Sequence, residues 1–241
     1  MEEKKVFQIG PSIGYLFTQG MYDLQKHQEF LDEAGANAAE LVMYFKEEKR
    51  QEAMLSKRLN TDFVSIHLED FYPDGSLYRQ VFVSKQIFDK QQAKIGVLHT
   101  ANVKDFYLEA LTEIGINVAI ENMDATRPSG HARWELEYLL KKFKLKFVLD
   151  IQHAFKHDSS MVYAWDLFQM AGANLVFLHV SGQNSASIHS LVHKADNKKS
   201  ITEFVGKIFS QIQVPIILEG YYVAAPEIKK EIDFLKKELG F

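Results

Sequence analysis

The 241-residue chain contains no cysteine, which excludes disulfides and thiolate metal sites. It has no apolar run approaching the ~18 residues that a membrane-spanning helix needs, so no membrane partner is expected. The opening MEEKKVFQIG is charged and then strand-like, without the apolar centre of a secretory signal. Together with the missing cysteines, this gives the expectation of a reducing, cytoplasmic location. Neither sign of charge dominates. The 28 Lys and Arg against 32 Asp and Glu leave a formal net charge of −4, with no global attraction to nucleic acid. Interior linkers, low-complexity tracts and shifts of composition are all absent. No G-x-G-x-x-G follows the first apolar run, which argues against a dinucleotide-binding open sheet.

What is present is a regular alternation. Short runs rich in Val, Ile, Leu and Phe are each followed by a segment of helical length: KVFQIG by YDLQKHQEFLDEAG, AAELVMY by EEKRQEAMLSKRL, and DFVSIHL, through the turn YPDGS, by YRQVFVSKQIFDKQQ. IGVLHT, NVAIEN, KFVLDI, NLVFLHV and VPIILEG continue the series, each with its helical partner. The strand runs are nearly continuous rather than alternating, as in parallel strands buried on both faces. Gly35, Gly115, Gly172 and Gly240 stand at the expected helix C-termini, where glycine accepts the left-handed cap. Eight such units over residues 1–241 predict one domain, an α/β protein folded as a single (β/α)8 TIM barrel.

The strand ends share a chemistry. Strand three ends at His67, strand four at His99, strand five at Glu121, strand six at Asp150 with His153 just beyond, strand seven at His179 and strand eight at Glu219. The loop after strand seven adds His189. Taken singly, each is more often a hydrogen-bonded core residue or a solvated loop residue than a ligand. A closed barrel brings them onto one rim, where buried like charges repel and divalent cations relieve them. Imidazole and carboxylate donors without sulfur suit Zn²⁺, Mn²⁺ or Fe²⁺. Glu121, Asp150 and Glu219 supply three negative charges, which two divalent ions and a hydroxide roughly balance. Glu40 on strand two either faces this rim or braces the barrel base.

The order His, His, Glu, Asp-x-x-His, His, Glu on strands three to eight resembles the xylose-isomerase-like barrel superfamily. Within it, the chain most resembles the endonuclease IV family of abasic-site endonucleases. VLDIQHAF is similar to that family's Asp-Thr-Cys-His-Ala-Phe signature, AIEN to its Ile-Glu-Asn, LHVSG to its His-Leu-Asn-Asp and IILEG to its Ile-Leu-Glu. The resemblance implies zinc-dependent phosphoester hydrolysis, as in DNA repair, with Glu121, Glu219 and His153 catalytic. His67, His99 and Glu121 would hold a first ion. Glu121, Asp150, His179 and Glu219 would hold a second. His153 and His189 would serve a third, but Ser187 stands where that site's aspartate is expected. The substrate is then a phosphoester, DNA included, although the net charge does not favour DNA. Lys46 and Arg50 fall where the family carries a DNA-contacting loop, yet KEEKR also reads as an exposed first helical turn. Arg127 follows Glu121 closely enough to reach a substrate anion.

The same superfamily offers a second expectation. Glu121, Asp150, His179 and Glu219 match the one-ion set of its sugar 3-epimerases, which would make the substrate a sugar or sugar phosphate. Those enzymes carry an arginine six residues after the strand-seven histidine, and here that residue is Ser185. A non-catalytic barrel that only binds metal or a small ligand is the third class. The oligomeric state is left open.

Overall fold

The computed structural model describes residues 7–73, 75–101 and 103–241. The start of the expected first strand and Asp74 of the YPDGS turn lie outside the described residues. Eight parallel strands form the wall: β1 (Ile9–Pro11), β2 (Ala38–Val42), β3 (Phe63–His67), β4 (Ile95–His99), β5 (Val118–Glu121), β6 (Lys146–Asp150), β7 (Leu175–Val180) and β10 (Ile216–Leu218). From β2 onward each pairs with the next of these strands, and β10 pairs with β1. Between β1 and β2 the ring is closed by the Asn37 amide donating to the Ile9 carbonyl at 3.1 Å and the Ile13 amide donating to that of Glu40 at 2.8 Å. The expected TIM barrel is therefore observed.

The helices fall where the apolar spacing places them. They are α1 (Gly14–Thr18), α2 (Leu24–Ala34), α3 (Glu48–Ser56), α4 (Leu77–Gln91), α5 (Asp105–Glu113), α6 (Arg133–Phe143), α7 (Ile151–His157), α8 (Val162–Ala171), α9 (Lys198–Phe209) and α10 (Ala225–Leu239). Gly35 and Gly240 end α2 and α10 in the left-handed conformation. Gly172 also ends its helix, but at φ 50° and ψ −126°, outside that cap geometry, and leads into a 3-10 turn. The short α1 has no counterpart in the sequence reading, and two further pieces nearer the mouth have none either. One is α7, which begins the moment β6 ends. The other is a hairpin of β8 (Gly182–Asn184) and β9 (Ser187–Ser190) above the mouth.

Burial on both strand faces divides the core in two. Side chains such as Leu41, Ile66, Leu98, Ile120, Leu149 and Leu178 pack outward against the helices. Ala38, Phe63, Val97, Ala119, Val148, Phe177 and Ile217 fill the barrel interior as a separate cluster. With a side-chain period of two, the next inward residue on each of these strands is Glu40, Ser65, His99, Glu121, Asp150, His179 and Glu219. The apolar interior layer is thus capped by a polar one at the strand C-termini.

Strand β1 needs a glycine for space. A Cβ on Gly10 would lie 1.7 Å from the Ala38 carbonyl oxygen of β2, an impossible approach to a backbone atom. Gly10→Ala is expected to destabilise the fold at or beyond the upper end of the about 1–3 kcal/mol typical of overpacking. Gly206, inside α9, is the control. Its Cβ would meet only Leu239 at 3.9 Å, and Gly206→Ala should raise the melting temperature slightly. Thermal unfolding of both variants checks the barrel closure, and a Gly10→Ala protein as stable as the parent would contradict it.

Candidate metal centre

The local sequence explains how each donor is held. Asp150 ends β6 and is also the N-cap of α7: its Oδ1 accepts from the His153 amide at 2.6 Å, which leaves Oδ2 for the mouth. The Asp-x-x-His spacing is therefore one capped helical turn. Asn122 clamps this corner from β5. Its side chain donates to the Asp150 carbonyl at 3.0 Å and accepts from the Asp150 amide at 2.9 Å. The Asn122 carbonyl lies 2.9 Å from His153 Nδ1, so the Nε2 of that ring is left for the mouth. The hairpin that brings His189 across depends on Gly220, whose Cβ would strike Ser190 O and Leu191 N at 2.7 Å. His189 is held by Ser181 at 3.0 Å and faces the His153 ring at 5.4 Å.

Glu121 is the hub. It is 1% exposed, and its oxygens lie 3.5 Å from His67 Nε2, 4.0 Å from His99 Nε2, 3.5 Å from His153 Nδ1 and 3.2 Å from His179 Nδ1. His179 Nδ1 is also 3.4 Å from Glu219 Oε1. Two donor sets emerge and share Glu121. One is His67, His99 and Glu121; the other is Glu121, Asp150, His179 and Glu219, with the ligand atoms of each set within 4.8 Å of one another. Zinc–ligand bonds of ~2.0–2.2 Å in a tetrahedron separate neighbouring ligand atoms by roughly 3.3–3.6 Å, close to most of these distances. Glu121 Oε2, Asp150 Oδ2 and His179 Nδ1 are buried and make no hydrogen bond. Such atoms are costly unless something fills the space between them. The residues present therefore fit divalent ions, and both expected donor sets assemble.

The buried charges of the site are shared between carboxylates and imidazoles. Burial works against the Glu121 carboxylate, but His179, His67 and His99 outweigh it and hold the group well below the ordinary carboxylate range. Burial also opposes charge on His179, where Glu219, Glu40 and Glu121 prevail and raise it well above its usual value. Glu219 is raised well above its usual value by burial and by the carboxylates of Glu121 and Asp150, against the pull of His179. Burial, together with the neighbouring His67 ring, lowers His99 to about 3, so that imidazole is neutral and its lone pair is free.

The remaining sequence candidates are dispersed. A cavity of about 520 Å³ is lined by His99, Glu121, His153, His189, Glu219 and Arg127, with Tyr15, Tyr44 and Tyr221 as an aromatic wall. The Tyr15 and Tyr221 hydroxyls meet at 2.7 Å. Arg50 also borders this cavity but is fully buried, with its Nε 2.8 Å from Glu47 and its guanidinium flanked by the Phe17 and Tyr44 rings. Lys46 is exposed and sits over the Tyr72 ring at 4.2 Å. The orienting residues Asn122 and Ser65 carry no signal in a single sequence, because a buried polar residue inside an apolar strand acquires meaning only from its cross-strand partner. The pair Tyr221–Tyr222 directly follows the Glu219-Gly220 strand end and was the one readable sign of the aromatic wall.

Adding Zn²⁺ or Mn²⁺ to chelator-treated protein should raise the melting temperature. At an ion concentration about 100 times Kd the gain is about 2.7 kcal/mol, or roughly 5–11 °C for a chain of this length. Glu121→Ala should abolish most of the shift and remove at least one bound ion, whereas His153→Ala should cost less. An unchanged shift and metal content in Glu121→Ala would remove that residue from the ligand set.

No protein-family model and no curated protein matches the sequence. Solved structures do. A D-tagatose 3-epimerase-like protein superposes with a TM-score of 0.66 at 16% identity, over 97% of each chain. Endonuclease IV from Thermus thermophilus gives 0.65 at 14% identity, over 91% of this chain and 95% of that one. D-psicose 3-epimerase from Clostridium cellulolyticum gives 0.60 at 12% identity, over 90% and 94%. Among the described residues no helix is long and apolar enough to cross a membrane. At these identities the likeness is one of fold, the TIM barrel.

Proposed function

We propose that the protein is a metal-dependent phosphoester hydrolase built around a two-ion site, with zinc as the favoured ion and Mn²⁺ or Fe²⁺ as substitutes. The observation that carries this reading is the pair of donor sets sharing Glu121. A one-ion site uses only Glu121, Asp150, His179 and Glu219 and gives His67 and His99 nothing to do. When bound, the ions supply Lewis acidity and neutralise charge that spreads over the phosphate oxygens in the transition state. Glu121 separates and shares the two positions. Glu219, whose side chain is 18% exposed and whose pKa is raised, is placed to hold a proton at the cavity face. His153 offers its Nε2 there, with Nδ1 already engaged by Asn122. Arg127 is exposed on the same cavity and would receive a phosphate oxygen remote from the reacting centre. The buried Arg50 supports the wall of that cavity, and Lys46 would meet only a substrate that extends beyond it.

A cavity of about 520 Å³ suits a sugar-phosphate unit, free or as an abasic site in DNA. The location we infer is cytoplasmic. The tyrosines of the cavity wall favour a second reading, sugar or sugar-phosphate epimerisation, because aromatic faces stack on sugar rings and the Glu121, Asp150, His179, Glu219 set is complete by itself. In that reaction Glu121 and Glu219 would move protons beside a single ion.

Paired assays on one Zn²⁺- or Mn²⁺-loaded preparation separate the readings. One assay offers duplex DNA with an abasic site and small phosphoesters; the other offers ketoses and ketose phosphates. The hydrolase reading expects phosphoester cleavage that falls by about 10²-fold or more in His67→Ala and in His99→Ala, the scale of losing one electrostatic stabiliser of a transition state. Epimerised sugar, intact phosphoester and activity that survives both substitutions would overturn it in favour of the second reading.

A further inference from the structure

We propose that Glu40 is a positioning residue of this centre. From beneath the mouth it fixes the tautomer and rotation of His179 so that Nδ1 faces the ions. The inference rests on the metal-centre reading above and deepens it. Glu40 lies in the middle of β2 and is fully buried. The layer directly below it, Ala38, Phe63 and Phe177, is apolar and gives a carboxylate no partner. A charge in such a place is retained only where it is paired and hydrogen-bonded. Its Oε2 accepts from Ser65 Oγ at 3.0 Å and lies 3.2 Å from His179 Nε2. Ser65 is the register partner of Glu40 on β3, so the hydroxyl is delivered by the strand pairing itself.

The two nitrogens of His179 then have different work. Nε2 faces Glu40. Nδ1 faces Glu121 at 3.2 Å and Glu219 at 3.4 Å, and it makes no hydrogen bond. An imidazole ligates metal through an unprotonated nitrogen, and the partner of the other nitrogen decides which one that is. With an ion among Nδ1, Glu121 and Glu219, the remaining proton must sit on Nε2, and Glu40, which only accepts, is the group placed to take it. A glutamine of the same shape can turn its amide N–H toward Nε2 and favour the opposite tautomer.

A plain structural brace would also be buried here, and the two roles differ in what they move. The test uses wild type, Glu40→Gln and Ser65→Ala. Each is stripped with chelator and titrated with Co²⁺ and Zn²⁺. Three quantities are read: the melting temperature of the metal-free protein, the Kd, and the visible absorption of bound Co²⁺. For Glu40→Gln we expect a metal-free melting temperature equal to or above wild type, ion affinity weaker by about 10–100-fold, and an altered Co²⁺ spectrum. Ser65→Ala, the milder change, should weaken affinity in the same direction and less. Unchanged Kd and spectrum in Glu40→Gln would overturn the inference whatever happens to stability. If stability and affinity fall together, the spectrum decides: a wild-type spectrum marks a brace, and an altered one supports the positioning role. Wild-type protein that binds neither ion would overturn the metal-centre reading and this inference with it.

Discussion

One buried carboxylate, Glu121, organises the mouth of this barrel. Four imidazoles from four separate elements stand within 4.0 Å of it, and no solvent screens it. No local segment could assemble such a group. It exists because eight parallel strands close in register, so that residues far apart in sequence end at one level. Closure in turn rests on small backbone facts. Gly10 lets β1 come against β2, the Asn37 and Ile13 amides complete the ring, and Asn122 ties the Asp150 corner of β6 to β5.

The alternation of side chains along the strands explains why stability and chemistry do not compete. Phe63, Val97, Val148, Phe177 and Ile217 fill the interior below the mouth and exclude water. That dry floor makes the layer above it electrostatically strong, since charge is poorly screened there. It also makes the layer costly without compensation, which is why Glu121 Oε2, Asp150 Oδ2 and His179 Nδ1, which make no hydrogen bond, carry so much meaning. Polar atoms left bare at a floor of this kind point to cations as the missing partners more directly than the residue types alone do.

The parts legible from sequence were those set by period and by chain order. Continuous apolar runs ending in His, Glu or Asp gave both the barrel and the identities of the converging donors, because a parallel strand buried on both faces must be apolar until it leaves the wall. The helices with a clear apolar stripe and a terminal glycine, such as α2 and α10, followed from the same spacing. Long-range contacts were less visible. Asp150 looked like a strand end, and its second role as N-cap of α7 depends on a helix too short to show a period. The β8–β9 hairpin is short, three and four residues with Ile188 the one apolar side chain, and Gly220 gives its backbone the space to lie against the strand-eight end. Glu40 had two readings in the sequence, since a single acidic residue in an apolar strand does not say which imidazole stands opposite. Arg50, in a segment of mixed charge, looked like a surface cation. The rings of Phe17 and Tyr44 and the Glu47 carboxylate instead enclose it.

The proposed two-ion reading rests on the His67–His99 pair. The two rings lie 4.4 Å apart, centroid to centroid, too close for both to carry a proton comfortably. Burial and the neighbouring ring accordingly keep His99 neutral. A neutral imidazole that points Nε2 at a carboxylate oxygen 4.0 Å away is too distant for a hydrogen bond. If the nitrogen bears no hydrogen, it sets lone pair against lone pair. A cation between His67, His99 and Glu121 removes that conflict. A second ion would account for both imidazoles, and the proposed hydrolase reading rests on that.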